Sequence, residues 1–264
     1  MDISGIDIQE LTQELNGRWE IHHKEKVDST NIWARTGASE GAPEFSLYLA
    51  DEQSKGKGRT GRVWQSPAGT SVSMSLVLRP DIPMEKMPML TLVMGLAAAV
   101  GMREAANLPV EIKWPNDAVV NGKKLCGILT EMGPAGEFVI CGVGLNVNMD
   151  AFPEELADKA TSLYLETGEK HSLAAVTAAV LNAFEKYYHA FVKNGDLAEL
   201  QKDYEAILAN KGRAVRILDP TGEYNGKALG IDKEGRLLVE RSDSGQIEKI
   251  FTGEVSVRGI YGYV

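Results

Sequence analysis

The loop Gly56–Arg62 most constrains what this chain can fold into, because its letters fit the G-x-G-x-x-G pattern of dinucleotide-binding folds. In those folds a helix begins at the third glycine. Here Gly61 is followed, within the length of one helix, by Pro67 and Gly69, which both interrupt helices. The sequence therefore predicts that no helix opens at Gly61, and it argues against a nicotinamide-binding fold.

The same loop carries three cations, Lys57, Arg59 and Arg62, in a chain whose net charge is −9. Glycine lets a backbone approach a ligand closely, and lysine and arginine donate hydrogen bonds to carboxylate and phosphate oxygens. The loop is therefore a candidate anion clamp. A solvated charged loop is the alternative interpretation.

A second group of polar residues lies in Lys113–Asp117, after an apolar helical pattern over Leu90–Val100 and a strand pattern over Val110–Ile112. The sequence K-W-P-N-D places a lysine, an amide and a carboxylate together at a strand end, beside a rigid proline. A turn at Asn121-Gly122 and a strand pattern over Lys124–Leu129 bring another lysine close by. Ordinary solvated charges around a turn are the alternative.

With these motifs, the chain resembles the biotin protein ligases, which attach biotin to a lysine of carboxylase carrier domains. The matching segments, in the family's order, are Asp28–Asn31 with S-T-N, Glu52-Gln53, the basic loop Gly56–Arg62, K-W-P-N-D at Lys113–Asp117, K-L-x-G-I-L at Lys124–Leu129, G-x-G-x-N at Gly142–Asn146, and the C-terminal signature Gly253–Ser256. The resemblance runs from about Gly17 to the end of the chain. The sequence departs from the family at Lys57, where arginine is common, and at Thr60, in place of a basic residue; both changes weaken the loop's fork geometry.

The resemblance implies a reaction in two steps, in which ATP and biotin are substrates. Biotin is first activated to biotinyl-5′-AMP with release of pyrophosphate, and is then transferred to a specific lysine of the biotin carboxyl carrier protein of acetyl-CoA carboxylase. Mg²⁺ is expected to arrive with the nucleotide, without metal ligands from the protein. Some members of the family form homodimers.

The resemblance also implies roles for individual residues. Lys113 is expected between the biotin carboxylate and the phosphate, Lys124 on the phosphoryl oxygens, Arg59 in a loop that closes over the ligand, and Asp117 beside the acceptor lysine, which it orients or deprotonates. The expected biotin contacts are Ser29, Thr30, Asn31, Gln53, Gly56, Lys57, Arg59, Lys113 and Gly127. The expected adenylate contacts are Arg62, Trp64, Asn116, Lys124 and Asn146. The residues alone also allow Trp64 to be a core tryptophan and Asn146 a turn residue.

The fold expected from the resemblance is α+β. It has a catalytic domain with a mixed or antiparallel sheet flanked by helices, of the class II synthetase-like, biotin/lipoate ligase type, and a small C-terminal SH3-like β-barrel. The expected boundaries are 1–17 for a short N-terminal extension, 18–211 for the catalytic domain and 212–264 for the β domain.

Local patterns predict several elements of this fold. One helix is predicted over Ile8–Leu15, a second from the N-cap Ser172 to Gly195, and a third from Asp196 to near Gly212. Short strands are predicted at Phe138–Val147, Ala214–Leu218, Tyr224–Ile231, Leu237–Glu240 and Ile247–Thr252, and turns at Pro220–Gly222, Lys233–Gly235 and Asp243–Gly245. Arg258 is expected to face the catalytic domain.

Composition excludes several other classes. A net charge of −9 argues against broad nucleic-acid binding. The two cysteines, Cys126 and Cys141, lie in apolar runs without metal-ligand spacing, which indicates buried thiols in a reducing compartment. No apolar stretch is expected to reach the length of a membrane span, and the N-terminus lacks signal-peptide features, so a cytoplasmic enzyme without a membrane partner is predicted. Met1–Gly17 is too short for a helix-turn-helix domain, and neither DNA binding nor a repressor role is expected.

Two other functions compete with this prediction. Lipoate ligases and octanoyltransferases share the catalytic fold, but their R-R-x-x-G-G-G-x-V-x-H-D signature is absent from the sequence. A non-enzymatic sensor or assembly module would be expected to lack the catalytic residues, and Lys113 and Asp117 are both present. The biotin ligase reaction is therefore the favoured prediction, with the lipoate or octanoate reaction as the alternative.

Overall fold

A computed structural model of the protein describes residues 5–218, 222–251 and 256–259, without the side chains of Thr60, Ser256 and Arg258. Five predicted features therefore lie wholly or partly outside the described residues. They are the first residues of the N-terminal extension, the turn at Pro220–Gly222, the last residue of the predicted strand Ile247–Thr252, most of the signature Gly253–Ser256, and the orientation of Arg258.

The described residues form helices and strands in two sheets. The α-helices are α1 (Ile8–Glu14), α2 (Thr30–Ser39), α3 (Leu90–Ala106), α4 (Leu163–Thr167), α5 (Leu173–Asn194) and α6 (Gln201–Ala206), and short 3-10 helices cover Arg59–Gly61 and Met84–Met89. The main-sheet strands are β1 (Glu20–Val27), β2 (Ser46–Gln53), β3 (Ser71–Leu78), β4 (Glu111–Lys113), β5 (Asp117–Val120), β6 (Lys123–Met132) and β7 (Val139–Asn146). The second sheet contains β8 (Ala214–Leu218), β9 (Tyr224–Ile231), β10 (Leu237–Arg241), β11 (Ile247–Ile250) and β12 (Ser256–Gly259).

The main sheet is mixed, in the order β1-β2-β3-β7-β6-β5-β4. Strand β1 runs parallel to β2, and the other neighbouring strands are antiparallel. Helix α2 packs on β2, β3 and β7, while α3 and α5 pack together and against the sheet. This arrangement confirms the predicted α+β class with helices flanking a mixed sheet.

Alternation along β3 separates the two faces of this sheet, because successive side chains of a strand point to opposite sides. Met74 and Leu76 belong to the large hydrophobic core, whereas Ser73 and Ser75 are buried on the other side, where Ser75 contacts the first residues of α2. The facing positions of β7 are Gly144 and Gly142. Small residues on the α2 face therefore leave space above the sheet, while large apolar residues fill the opposite face.

Helix α3 lies in the core, and its sequence corrects one prediction. The helical run Met84–Ala106 is 23 residues long, and it is long and apolar enough to cross a membrane. The expectation that no stretch reaches that length was therefore wrong. Because most of this run is buried inside the protein, its apolarity is that of a core helix.

The second sheet is antiparallel, in the order β11-β10-β9-β8-β12, consistent with the predicted SH3-like barrel. Strands β8 and β9 have their predicted bounds, β10 is one residue longer, β11 ends two residues earlier, and β12 was not predicted as a strand. The turn before β10 contacts the main domain, since Trp114 Nε1 donates to the Gly235 carbonyl at 3.0 Å. Buried side chains of both sheets form one continuous core.

The helix predicted to run from Asp196 to near Gly212 is much shorter, covering Gln201–Ala206. At the start of the predicted helix, Asp196 accepts from the Ala198 backbone N–H at 3.0 Å, and the Leu197 N–H donates to the Lys233 carbonyl in the turn between β9 and β10. Such local side-chain bonds compete with helix formation. At its end, the Ile207 carbonyl accepts from Ile112 in β4. Contacts with both sheets therefore limit this helix.

Candidate active site

A cavity opens on the α2 face of the main sheet, above its small residues. Its lining comes from α2, the basic loop and strands β2, β3, β6 and β7. The lining residues are Ser29, Thr30, Asn31, Gln53, Lys57, Gly58, Arg59, Trp64, Met74, Asn116, Lys124, Gly127, Ile128, Leu129, Gly142, Val143 and Gly144. The lining is apolar and neutral at one end and cationic at the other.

Most of the predicted contact residues meet at this cavity. Of the predicted biotin contacts, all line it except Gly56 and Lys113. Of the predicted adenylate contacts, Trp64, Asn116 and Lys124 line it, whereas Arg62 and Asn146 do not. Asp117 is outside the lining but pairs with Lys124, which belongs to it.

Glycines form part of the cavity floor, because the side chains of Trp64 and Asn31 lie directly against the sheet there. Gly127 and Gly144 are cross-strand partners on β6 and β7. A Cβ atom on Gly144 would lie 2.2 Å from the ring of Trp64, and one on Gly142 would lie 2.0 Å from Asn31 Oδ1. The G-x-G of β7 therefore admits both Trp64 and Asn31, and neither glycine can gain a methyl group without displacing a lining side chain.

The neutral end of the cavity is a hydrogen-bonded group of side chains. Gln53 Oε1 accepts from the Thr30 backbone N–H at 2.8 Å and lies 3.1 Å from Thr30 Oγ1. Gln53 Nε2 donates to Ser73 Oγ at 3.2 Å. Ser75 Oγ lies 2.8 Å from Thr30 Oγ1 and 2.7 Å from Asn31 Oδ1. These groups can donate to and accept from a polar ligand in the cavity.

Three members of this group were not predicted: Ser73, Ser75 and Glu131. Asn31 Nδ2 donates to Glu131 Oε2 at 2.7 Å and approaches the Leu129 carbonyl at 3.3 Å. Alternating serines in a buried strand were the available signal for β3. Glu131 gave no signal in the sequence, because the predicted strand Lys124–Leu129 ends before it.

The cationic end contains Lys57, Arg59 and Lys124. Lys124 Nζ pairs with Asp117 Oδ1 at 2.7 Å. Arg59 Nη1 donates to Asn116 Oδ1 at 2.9 Å, and Asn116 Nδ2 donates to Asp117 Oδ1 at 3.2 Å. Burial lowers the pKa of the Arg59 guanidinium, with Asp117 opposing this shift and Arg62 adding to it. Arginine remains charged at neutral pH, so this end favours a carboxylate or a phosphate.

The segment Lys113–Asp117 lies at a strand end, as predicted. Lys113 is the last residue of β4, Asp117 is the first residue of β5, and the two are cross-strand partners. Both residues are buried, with 7% of each exposed. Between them, Trp114 enters the core through a cis Trp114–Pro115 peptide bond, and its N–H donates to Asn210 Oδ1 at 2.8 Å. The pairing of β4 and β5 places both charged groups side by side, and neither is part of the cavity lining.

The basic loop is a narrow hairpin. Lys57 and Val63 form an antiparallel bridge, the Gly58 N–H donates to the Arg62 carbonyl at 2.7 Å, and the Trp64 N–H donates to the Gly56 carbonyl at 2.9 Å. No helix follows Gly61 in residues 62–69, which confirms the exclusion of a dinucleotide-binding turn. Lys57 and Arg62 are exposed, so the loop presents cations to solvent as well as to the cavity.

Trp64 and Asn146 each had two alternative interpretations, and the structure places both residues. Trp64 is half-buried, lies against the glycine floor and has Lys124 Nζ 5.5 Å from its ring centroid. Its buried Nε1 has no hydrogen-bond partner among the described residues. Asn146 is the last residue of β7 and donates to the Thr161 carbonyl at 3.1 Å. Trp64 is therefore a cavity residue, and Asn146 is a strand residue that holds the segment after it.

Other reactive groups do not form a competing centre. Within residues 5–218, 222–251 and 256–259, no group of three His, Cys, Asp or Glu side chains could hold a metal ion. Cys126 and Cys141 are fully buried, and desolvation raises the pKa of both thiols. Since the thiolate is the reactive form of cysteine, neither residue is suited to nucleophilic chemistry.

Comparison with protein families gives two matches. The profile of the biotin/lipoate A/B protein ligase family matches residues 26–148, which contain the whole cavity lining. The profile of the biotin protein ligase C-terminal domain matches residues 212–258, which contain most of the second sheet.

Individual relatives agree with these matches. The chain is 42% identical over 252 residues to the bifunctional ligase/repressor BirA of Bacillus subtilis, covering 94% of this chain and 76% of the relative. It is 34% identical over 225 residues to the biotin–[acetyl-CoA-carboxylase] ligase of Mycobacterium tuberculosis, covering 81% of each. Its fold matches the biotin protein ligase of Aquifex aeolicus in complex with biotin and ATP, with a TM-score of 0.80, 31% identity and coverage of 91% of this chain and 99% of the other.

Proposed function

This chain belongs to the biotin/lipoate A/B protein ligase family and is a ligase, and from that premise we propose that it activates biotin with ATP and transfers it to a protein lysine. The intermediate is biotinyl-5′-AMP, formed with release of pyrophosphate. The acceptor is the biotin carboxyl carrier protein of acetyl-CoA carboxylase, in keeping with the name of the mycobacterial relative.

The observation that carries this proposal is the polarity of the cavity. One end offers hydroxyl and amide groups above a floor of glycines, and the other end offers Lys57, Arg59 and Lys124. Biotin has the same polarity, with a ureido ring at one end and a carboxylate at the other. The cationic end can also hold the phosphates that meet that carboxylate.

In the first step, an oxygen of the biotin carboxylate bonds to the α-phosphorus of ATP, and the bond to pyrophosphate breaks. Both reactants are anions, so their approach needs positive charge held in place. We assign that charge to Lys113, Arg59 and Lys124. Lys113 and Lys124 project from strands, whereas Arg59 projects from the basic loop.

In the second step, the acceptor amine bonds to the biotinyl carbonyl carbon, and AMP leaves with the electrons of the broken anhydride bond. The amine must lose a proton, and Asp117 is the carboxylate placed to orient it or accept that proton. Asp117 also pairs with Lys124 at 2.7 Å. It therefore helps to hold in place a lysine that we assign to the first step. Closure of the basic loop would exclude water until the acceptor arrives.

Mg²⁺ fits this site only as an ion carried by the nucleotide. Among the described residues, no cluster of three potential ligands exists, and Asp117 is already paired with Lys124. Mg²⁺ commonly binds through one or two carboxylates together with substrate phosphates. When bound, the ion would neutralise phosphate charge beside Lys113 and Lys124.

Other features of the proposal follow from the family. We assign the catalytic domain to residues 18–211 after a short extension and the SH3-like domain to residues 212–264, and we place the enzyme in the cytoplasm. A homodimer, as in some family members, is tested by light scattering at several protein concentrations. The expectation of no DNA partner stays a prediction, and titration with labelled duplex DNA tests it.

The deciding experiment is biotin-dependent exchange of labelled pyrophosphate into ATP, with lipoate and octanoate as parallel substrates in the presence of Mg²⁺. Exchange with biotin alone is expected. Exchange with lipoate or octanoate instead of biotin would overturn the substrate assignment. A second measurement, transfer of labelled biotin to a purified carrier domain and to its lysine-to-arginine variant, tests the acceptor.

A further inference from the structure

The neutral end of the cavity contains a row of four side-chain oxygens, in the order Asn31 Oδ1, Ser75 Oγ, Thr30 Oγ1 and Gln53 Oε1. Successive distances in this row are 2.7, 2.8 and 3.1 Å. Two oxygens at such distances attract each other only when a proton lies between them. A hydroxyl has one proton, so Ser75 and Thr30 together supply two protons to three contacts. The row is one proton short.

This shortage depends on the orientation of the two amides at the ends of the row. Gln53 Oε1 faces the Thr30 backbone N–H, which can only donate, so this amide must present its oxygen. At the other end, Asn31 Nδ2 faces Glu131 Oε2 at 2.7 Å and the Leu129 carbonyl at 3.3 Å, which both only accept. Asn31 must therefore turn its oxygen towards Ser75.

Reversal of the Asn31 amide would supply the missing proton, because Nδ2 would then donate to Ser75. The carboxylate of Glu131 opposes that reversal. Ser75 is fully buried and Asn31 is 8% exposed, so competition from bulk water is limited. Thr30, Asn31 and Gln53 all line the cavity, and a ligand N–H can reach the row there.

We propose that Glu131 is a positioning residue that fixes the Asn31 amide and thereby makes this row an acceptor for ligand N–H groups. The inference rests on the proposed function and deepens it by naming what the neutral end selects. A cyclic urea supplies N–H donors and completes the row. The dithiolane ring of lipoate and the methyl end of octanoate supply none.

Arg35 explains why a carboxylate suits this position better than an amide. Arg35 Nη2 lies 3.6 Å from Glu131 Oε1, on the other oxygen from the one that Asn31 uses. A carboxylate accepts from both neighbours. A glutamine would have to turn its NH₂ group towards either the Arg35 guanidinium or the Asn31 amide, and the second choice favours reversal of Asn31.

The test compares two ligands on the full-length protein by calorimetry. One is biotin, and the other is a carbocyclic analogue in which both ureido N–H groups are replaced by CH₂ while the ring carbonyl, sulfur ring and valerate chain remain. For the wild type, we expect the analogue to bind about 100-fold more weakly, because an unpaired polar site rejects a ligand that lacks the matching group. In Glu131→Gln, the ratio of the two dissociation constants should fall about tenfold, through weaker biotin binding.

Two further variants separate positioning from a general structural role. Glu137→Gln makes the same chemical change at an exposed site on the β6–β7 hairpin and should keep the wild-type ratio. Ser75→Ala removes one hydroxyl and leaves Asn31 Oδ1 without its donor, so the row still needs a ligand N–H and the wild-type ratio should not fall. Equal weakening of both ligands in Glu131→Gln would indicate a structural role and overturn the proposal.

The outcomes also separate this inference from the proposed function. A wild type that binds biotin, together with a folded Glu131→Gln variant that keeps the full ratio, overturns the inference alone. A wild type that does not bind biotin overturns the proposed function, and the inference with it. Melting temperatures and circular dichroism spectra establish that each variant is folded.

Discussion

The two ends of the cavity are built in different ways. At the neutral end, Thr30, Asn31 and Gln53 project from a helix start and a strand, and they bond to one another or to buried serines behind them. At the cationic end, Lys57 and Arg59 project from a hairpin loop whose Lys57 is exposed. Groups that must discriminate a ligand are thus bonded to one another or to buried serines, and part of the charge is placed on a hairpin loop.

This difference suggests a division of labour. A preformed neutral end can select the ring of biotin before ATP chemistry begins, whereas charge on a loop can enter after the substrates have bound. Substitutions at the neutral end should therefore change substrate affinity. Substitutions in the loop should change how well the intermediate is retained.

Lys113 does not fit the division between a neutral end built on rigid elements and a charged loop, because it is a cation that is buried on a strand. Lys113→Ala should reduce biotin-dependent pyrophosphate exchange on the order of 10³-fold, as expected when a positioned charge is lost from a transition state. Lys123→Ala, on the nearby strand β6, is the matched control and should retain activity. Near-wild-type exchange by a folded Lys113→Ala variant would remove Lys113 from the mechanism.

The rigidity of the neutral end is tested at Gly142. A methyl group there would meet Asn31 Oδ1 at 2.0 Å, so Gly142→Ala must displace Asn31 from its bonds. We expect KM for biotin to rise roughly ten- to hundredfold, in line with the usual cost of overpacking a tight site. KM for ATP should change little. Both constants can be measured in the exchange assay.

The control for this change is Gly95→Ala in the middle of α3, where the nearest atoms to an added Cβ lie at 3.8 Å. Alanine fits that space and has a higher helix propensity than glycine, worth up to about 1 kcal/mol of stability. Gly95→Ala should therefore keep the wild-type KM and melt no earlier. An unchanged KM for biotin in Gly142→Ala would show that the neutral end is as adaptable as the loop.

The sequence was informative about both ends because their residues are clustered in short motifs. Glycines next to cations identified the loop, and S-T-N identified residues that line the cavity, although neither pattern indicated that Thr30 and Asn31 would bond to β3. The turn at Asn121-Gly122 was predictable because both residues adopt positive φ angles, 51° and 77°, which asparagine and glycine tolerate.

What the sequence could not provide was pairing across long separations. Glu131 looks like an ordinary strand residue until β6 is placed beside β7 and α2, which brings it to Asn31, 100 residues away. The length of α6 was mispredicted for a similar reason, since contacts with Lys233 and Ile112 end it from outside. Such contacts depend on tertiary structure, which local propensity does not encode.

The role of the basic loop at the cationic end is tested at Arg59. Arg59→Gly removes the guanidinium that donates to Asn116 and adds backbone freedom to the hairpin. We expect roughly a tenfold rise in biotinylation of unintended lysines as the adenylate escapes, because a mobile lid protects reactive intermediates from premature release. Mass spectrometry of bystander proteins measures this rise. Arg213→Gly, at an exposed bend before β8, is the control, and equal leakage in both variants would remove the closing role from the loop.

The smallest expected effect concerns how the second sheet supports the segment that carries Lys113 and Asp117. Gly235 has a φ of +74°, accepts from Trp114 Nε1, and would bring an added Cβ to 2.9 Å from Leu92. Gly235→Ala should lower the free energy of unfolding by about 2 kcal/mol, through backbone strain and overpacking together. Gly245 has a φ of +72° with nothing within 4 Å of an added Cβ, so Gly245→Ala isolates the backbone part.

The difference between these two variants in urea denaturation measures packing between the sheets. Because Trp114 is the residue after Lys113, Gly235→Ala should also lower the exchange rate a few-fold, whereas Gly245→Ala should leave that rate unchanged. Equal destabilisation by both variants would mean that the Gly235 turn contributes no packing beyond its backbone strain. In that case the rigidity around Lys113 and Asp117 would come from the main sheet by itself, through the β4–β5 pairing and the bond from Trp114 to Asn210.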